Sequence, residues 1–181
     1  MRVARSSLYL LLAFNVAKVQ AQTNLEPEYK FKAVYLYNFL QFIEWPPQAF
    51  QGESWPIVVG VVGNDAFSGM LEQTVKDETI RDRPVIVRRI SGVEETKACH
   101  VLFIAKGEEK NLHDILSKIK GKPILTVSET VEFVRQGGAI NFYLEGNKLR
   151  FEVNLSAVKA ANLVVSSKLL RLARIVEPAN R

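Results

Sequence analysis

Cysteine is almost missing from this chain: Cys99 is the one thiol among 181 residues, so a monomer cannot form an internal disulfide. Histidine is nearly as scarce. His100 and His113 fit neither H-x₃-H nor C-x₂-C spacing, which argues against a structural zinc site. No G-x-S-x-G elbow, P-loop or G-x-G-x-x-G fingerprint occurs. No dense basic stretch with interleaved aromatics occurs either, and that leaves nucleic-acid binding without support. Internal repeats, low-complexity tracts and long Gly/Ser/Pro linkers are absent too, so the chain reads as one domain.

What is present begins with a leader. Arg2 and Arg5 precede the apolar run Leu8–Ala17, interrupted only by Asn15, and Val19-Gln20-Ala21 supplies small residues beyond it. Basic, then apolar, then small is the secretory pattern, so residues 1–21 are expected to be a cleavable signal with the cut before Gln22. A run of about ten apolar residues is too short to cross a bilayer core, which takes roughly 20. Gln22, and not a cysteine, stands directly after the cut, which argues against a lipid anchor. The leader holds Arg2, Arg5 and Lys18 and no acid, so the remaining 22–181 domain carries 21 basic against 19 acidic side chains. The high isoelectric point is in part a property of the leader.

The domain opens with a helix expected over Glu28–Glu44, with Pro27 suited to its first turn and Pro46-Pro47 to stop it. Phe31, Val34, Tyr35, Asn38, Phe39 and Phe42 recur at spacings of three and four. Aromatics exceed what one core stripe holds. A helix buried on most of its surface and a partner-binding face are both open readings, with Tyr35, Asn38, Phe42 and Trp45 the candidate contacts. Strands are then expected at Pro56–Val62, Pro84–Ile90, Cys99–Ala105 and Ile124–Val127. Helices are expected at Ala66–Lys76, Glu108–Ile119 and Glu129–Arg135, with a short helix or loop at Glu94–Lys97. Short apolar runs alternating with helices predict βαβ units and a mostly parallel sheet. Glu145-Gly146-Asn147-Lys148 joins Ala139–Leu144 to Leu149–Leu155 as an antiparallel hairpin. A helical region over Ser156–Val176 follows, divided at Asn162 and Ser166, with Lys168, Arg171 and Arg174 late in the helix. The fold class is therefore α/β: a mixed, mostly parallel sheet between helical layers, a Rossmann-like sandwich, with a C-terminal hairpin and terminal helix.

Chemistry is sparse. Cys99 and His100 are neighbours on a strand, so their side chains point to opposite faces and form no dyad. Cys99 is either a buried inert thiol or an intermolecular or redox-reactive one. Gly63-Asn64-Asp65 lies after a strand and before a helix and is first a glycine turn with Asn64 or Asp65 capping the helix; a small ligand at this end of the sheet is the alternative. Arg150, Glu152 and Asn154 share one strand face, as a solvent face or as a strip for a partner. One acid without a second is a poor general-acid pair, so no enzyme activity, metal or cofactor is expected.

Several stretches together resemble the YfiR/HmsC-like periplasmic proteins across nearly the whole of 22–181. They are Tyr35-Leu36-Tyr37-Asn38-Phe39-Leu40-Gln41-Phe42-Ile43-Glu44-Trp45-Pro46, Gly60-Val61-Val62-Gly63-Asn64-Asp65-Ala66-Phe67 and Cys99-His100-Val101-Leu102-Phe103-Ile104. The more specific C-terminal ones are Gly138-Ala139-Ile140-Asn141-Phe142, Arg150-Phe151-Glu152-Val153-Asn154 and Ser166-Ser167-Lys168-Leu169-Leu170-Arg171-Leu172-Ala173. The resemblance implies a periplasmic regulator. Its best understood relatives restrain a membrane-bound diguanylate cyclase by binding the cyclase's periplasmic region, and so lower cyclic di-GMP and biofilm formation. Relatives with a redox-sensing role pair several cysteines. Cys99 matches a family position, but this chain has no cysteine to pair with it. A homodimer and a small-ligand sensing module without a cyclase partner complete the set of expectations.

Overall fold

The computed structural model describes residues 27–177, so the leader expected at 1–21 lies outside the described residues. No described helix is long and apolar enough to cross a membrane.

Helix α1 covers residues 27–42. Its buried stripe is Ala33, Leu36, Phe39, Leu40 and, one step on, Ile43, at the helical spacing of three and four. This corrects the stripe read from sequence, because Phe31 and Val34 are 62% and 43% exposed. The helix also stops two residues early. Trp45 precedes Pro46, whose ring disfavours helical geometry in the residue before it. Strand β1 (Ile43–Glu44) instead pairs antiparallel with β9 (Val164–Val165).

The main sheet has eight strands. They are β2 (Ile57–Val62), β3 (Thr79–Ile80), β4 (Arg83–Ile90), β5 (Val101–Ile104), β6 (Leu125–Ser128), β7 (Ile140–Glu145), β8 (Lys148–Asn154) and β10 (Arg174–Val176), in the order β10-β8-β7-β6-β5-β2-β4-β3. Strands β4, β2, β5, β6 and β7 run parallel to one another, and β3 pairs antiparallel at the β4 edge. Strand β8 returns antiparallel through the tight turn at Gly146, whose φ is +60°. The expected mixed, mostly parallel α/β sheet is therefore what forms.

Two apolar layers cover its faces. On β5, Val101 and Phe103 join the layer of α1, α2 (Asp65–Thr74), α4 (Leu155–Ala160) and α5 (Ser167–Leu170). Leu102 and Ile104 join the other, under α3 (Leu112–Ile119). A strand buried on both faces reads as an unbroken apolar run, which is why β2 and β5 were legible. Phe39 anchors the first layer, stacked on Phe142 at 5.5 Å and tilted against Phe151 at 4.9 Å.

One expected helix does not form, and another forms only in part. Residues 129–138 make a chain of turns, with Glu132 at φ +62° interrupting any helix. The terminal helical region resolves into α4, β9, α5 and β10. Asn162 (φ +55°) ends α4 in a Schellman arrangement, Asn162 N–H to Lys159 and Leu163 N–H to Val158. Ser166 caps α5 by accepting from the Lys168 amide. The β-branched pairs Val164-Val165 and Ile175-Val176 then find open strand edges on β1 and β8. Tertiary pairing overrides the helical periodicity there, and Arg174 sits on a strand instead of a helix end.

Candidate functional site

The chain passes from β2 outward to β4 and then crosses to β5 on β2's other side. That reversal opens a crevice beyond the strand ends, where ligands bind in open sheets. Gly63 turns there at φ +81°, and Asn64 Oδ1 accepts from the Phe67 amide at 2.9 Å, capping α2. The crevice is partly filled: a Cβ on Gly63 would lie 2.6 Å from Glu108 Cγ. An anion seated over Gly63-Asn64-Asp65 would therefore meet a carboxylate.

The denser polar assembly lies along the same end of the sheet, over β6 to β10. Register aligns Ser128, Asn141, Glu152 and Arg174 in one row across four strands. In-register residues share a face, so these side chains stand side by side. Ser128 donates to the Ile104 carbonyl at 2.7 Å. Glu152, buried, receives both Nε (3.1 Å) and a terminal nitrogen of Arg174 on its Oε2. Arg174 also lies 4.2 Å over the Tyr143 ring. Its guanidinium is held above its ordinary value chiefly by the Glu152 hydrogen bond. Asn141 is 4% exposed, and its Oδ1 is buried with no hydrogen-bond partner among the described residues.

Lys32 reaches the same place from α1. It is 2% exposed, and its ammonium is bound by Glu28, one turn back, and by Glu129 from the segment after β6. Burial alone lowers its pKa, but the hydrogen bonds and charges of Glu129 and Glu28 outweigh that and raise it. A cavity of about 510 Å³ opens between this pair and the sheet row. A larger one, about 640 Å³, lies at the opposite strand ends beside α3 and α4. Its buried polar groups are already satisfied, Thr126 by the Ala139 amide and Asn154 by Val134 and Ala157. Exposed His113 sits on its wall.

The residues singled out from sequence are scattered. Asn38 is exposed. Tyr35 and Phe42 are half-buried against the core, and Tyr35 packs edge-on to Phe142 and Phe151. Trp45 donates to the His100 carbonyl at 3.1 Å. Of the β8 strip only Arg150 is exposed, paired with Glu145; strand β10 covers Glu152, and Asn154 caps α4. Sequence reasoning missed Lys32 and Asn141. A lysine on an amphipathic helix reads as a solvated charge, and only strand register reveals the polar row.

The expected strand Cys99–Ala105 begins only at Val101, so Cys99 and His100 lie just before it, and Cys99 packs with Leu102 and Ile104 instead of with Val101 and Phe103 as strand alternation would place it. His100 stacks on Phe50 at 4.6 Å, accepts from the Val58 amide on Nδ1 and donates from Nε2 to the Ala49 carbonyl at 3.0 Å. Burial holds its pKa below the ordinary 6.5. The folded state therefore binds fewer protons than the unfolded one just below that value. Stability supplied by neutral His100 is complete above pH about 6.5 and declines as pH falls below it. Melting temperature should accordingly fall between pH 6.5 and 5, and His100→Asn, which does not titrate, should flatten that slope. An unchanged slope in the folded variant would remove His100 as its source. Cys99, 5% exposed among Leu102, Ile104 and Ile115, has its thiol pushed up to about 11, mainly by burial. Thiolate at neutral pH is then roughly 100-fold scarcer than for an unshifted cysteine. Native protein should react with a disulfide reagent at least that much more slowly than urea-unfolded protein. Equal rates would show an accessible thiol.

Fold and site together define an open-sheet α/β domain with a polar crevice at its strand ends. The chain belongs to the YfiR/HmsC-like family, whose model matches residues 29–174.

Proposed function

We propose that this protein is a periplasmic regulator that binds the periplasmic region of a membrane-bound diguanylate cyclase and holds it inactive, lowering cyclic di-GMP and biofilm formation. Family membership supports the class. The observation that carries a partner surface is the outer face of α1, where Phe31 (62% exposed) and Val34 (43%) stand beside exposed Asn38. Apolar residues grouped on a surface mark contact sites. Restraint on this reading is differential binding, since a partner shifts only by as much as the regulator prefers its inactive state. No catalytic role enters, and a homodimer is compatible with the same face.

Deletion of the gene should raise intracellular cyclic di-GMP, and complementation should return it. Because Phe31 and Val34 are exposed, Phe31→Asp with Val34→Asp should leave the fold intact and weaken cyclase capture at least tenfold, the scale of an interface hot spot. Trp45 and Phe42 are poorer probes, because their contacts with His100 and the core tie them to stability. Unchanged cyclic di-GMP on deletion, with the protein present in the wild type, would reject the cyclase reading. Weight would then pass to a sensing module that acts without a cyclase.

A further inference from the structure

The cavity over the polar row has an excess of acceptors. Four carboxylates, Glu28, Glu129, Glu132 and Glu152, share its wall with Lys32, Lys106 and Arg174. Two of those cations are committed, Lys32 to Glu28 and Glu129, and Arg174 to Glu152, and Glu132 is paired with Arg135 at 3.0 Å. Each of these contacts uses one carboxylate oxygen: Glu28 Oε1, Glu129 Oε2 and Glu152 Oε2. Beside them stands Asn141 Oδ1, buried and unpartnered among the described residues. Leaving such an acceptor unmade costs about 1–3 kcal/mol, and Asn141 lines the cavity, so a donor reaching it from there would remove that cost.

We propose that this cavity binds a small organic cation, an alkylammonium or guanidinium compound whose N–H groups donate to Asn141 Oδ1 and to the Glu129 and Glu152 carboxylates. The open positions along the row are acceptors, Asn141 Oδ1 and the second carboxylate oxygens, so a ligand that carries N–H donors fits them. Among the described residues no three His, Cys, Asp or Glu side chains stand close enough to hold a metal ion, so the acceptors are spread out. Spread acceptors suit an elongated ligand with N–H groups at more than one point. Tyr29 and Tyr143 also line the cavity, and each ring already carries a cation of the protein, Lys32 at 5.2 Å and Arg174 at 4.2 Å, so the carboxylates and Asn141 are the groups left for a ligand. The volume, about 510 Å³, lies within the usual range for small-ligand pockets. This inference does not depend on the cyclase reading, since binding is read on the isolated protein.

Putrescine and agmatine, each at 10 mM, are the probes, with 1,4-butanediol as the uncharged match. At tenfold excess over Kd, at least one cation should raise the melting temperature by about 3 °C or more, and the diol should not. Asn141→Leu should weaken binding by calorimetry at least tenfold. Exposed Glu132→Gln, which leaves the buried row untouched, should weaken it about threefold and keeps the test open if Asn141→Leu does not fold. No shift with either cation, an equal shift with the diol, or unchanged affinity in both folded variants would overturn the proposal.

Discussion

Lys32→Met should destabilise the protein by about 3 kcal/mol, because removing one partner of a buried ion pair strands the other. Here two carboxylates are stranded. The Glu28 and Glu129 side chains are only 29% and 12% exposed, and Lys32 is the cation between them. Methionine keeps the volume of the stem, so the loss reports charge and hydrogen bonding instead of a cavity. In a domain of this size the expected fall in melting temperature is about 6–12 °C. The triple variant Lys32→Met with Glu28→Gln and Glu129→Gln should recover much of it, since a buried pair replaced whole is nearly neutral. The pH dependence has a fixed sign. A raised lysine pKa contributes stability that is present below its ordinary value, 10.5, and is lost as pH climbs past it. Urea unfolding of the single variant at wild-type stability would show that the pair contributes nothing.

Gly138→Ala and Gly69→Ala should move stability in opposite directions. A Cβ on Gly138 would lie 2.1 Å from Cε1 of Phe133, and the ring is 0% exposed, packed in the layer beneath α3. The ring has no room to swing away, so the expected loss is about 3 kcal/mol, at the upper end for overpacking. Gly69 lies inside α2, and a Cβ there meets nothing within 4 Å. Alanine should add about 0.5–1 kcal/mol at that position by restricting the unfolded chain. Equilibrium denaturation of the two variants decides both. A neutral Gly138→Ala would mean that the turns at 129–138 repack freely.

The sheet was legible where its strands are buried on both faces, because Ile57–Val62 and Val101–Ile104 are unbroken apolar runs between turn signals. The hairpin at Gly146 carried its own turn chemistry. The small hairpin of β3 and β4 did not, because Arg81-Asp82, at φ +52° and +63°, lacks the glycine that usually signals such a turn. The terminal segment was misread because its strands are only two and three residues long, too short for periodicity to register. The candidate site was legible only in fragments. Glu152 and Arg174 stand far apart in the sequence, and their meeting follows from β10 adding to β8, a pairing that no local pattern encodes.

The pairing of β1 with β9 and of β10 with β8 also sets an order of events in synthesis. The end of α1 is held by a strand drawn from far along the sequence, and one edge strand of the sheet, β10, is drawn from the last described residues. A nascent chain that has yet to release those residues has neither clasp, and Glu152 still lacks Arg174. Contacts so distant along the sequence form slowly, because loop closure precedes their reward. Strands β9 and β10 thus act as a latch, closing on α1 and on β8 only after the segments between them have been made.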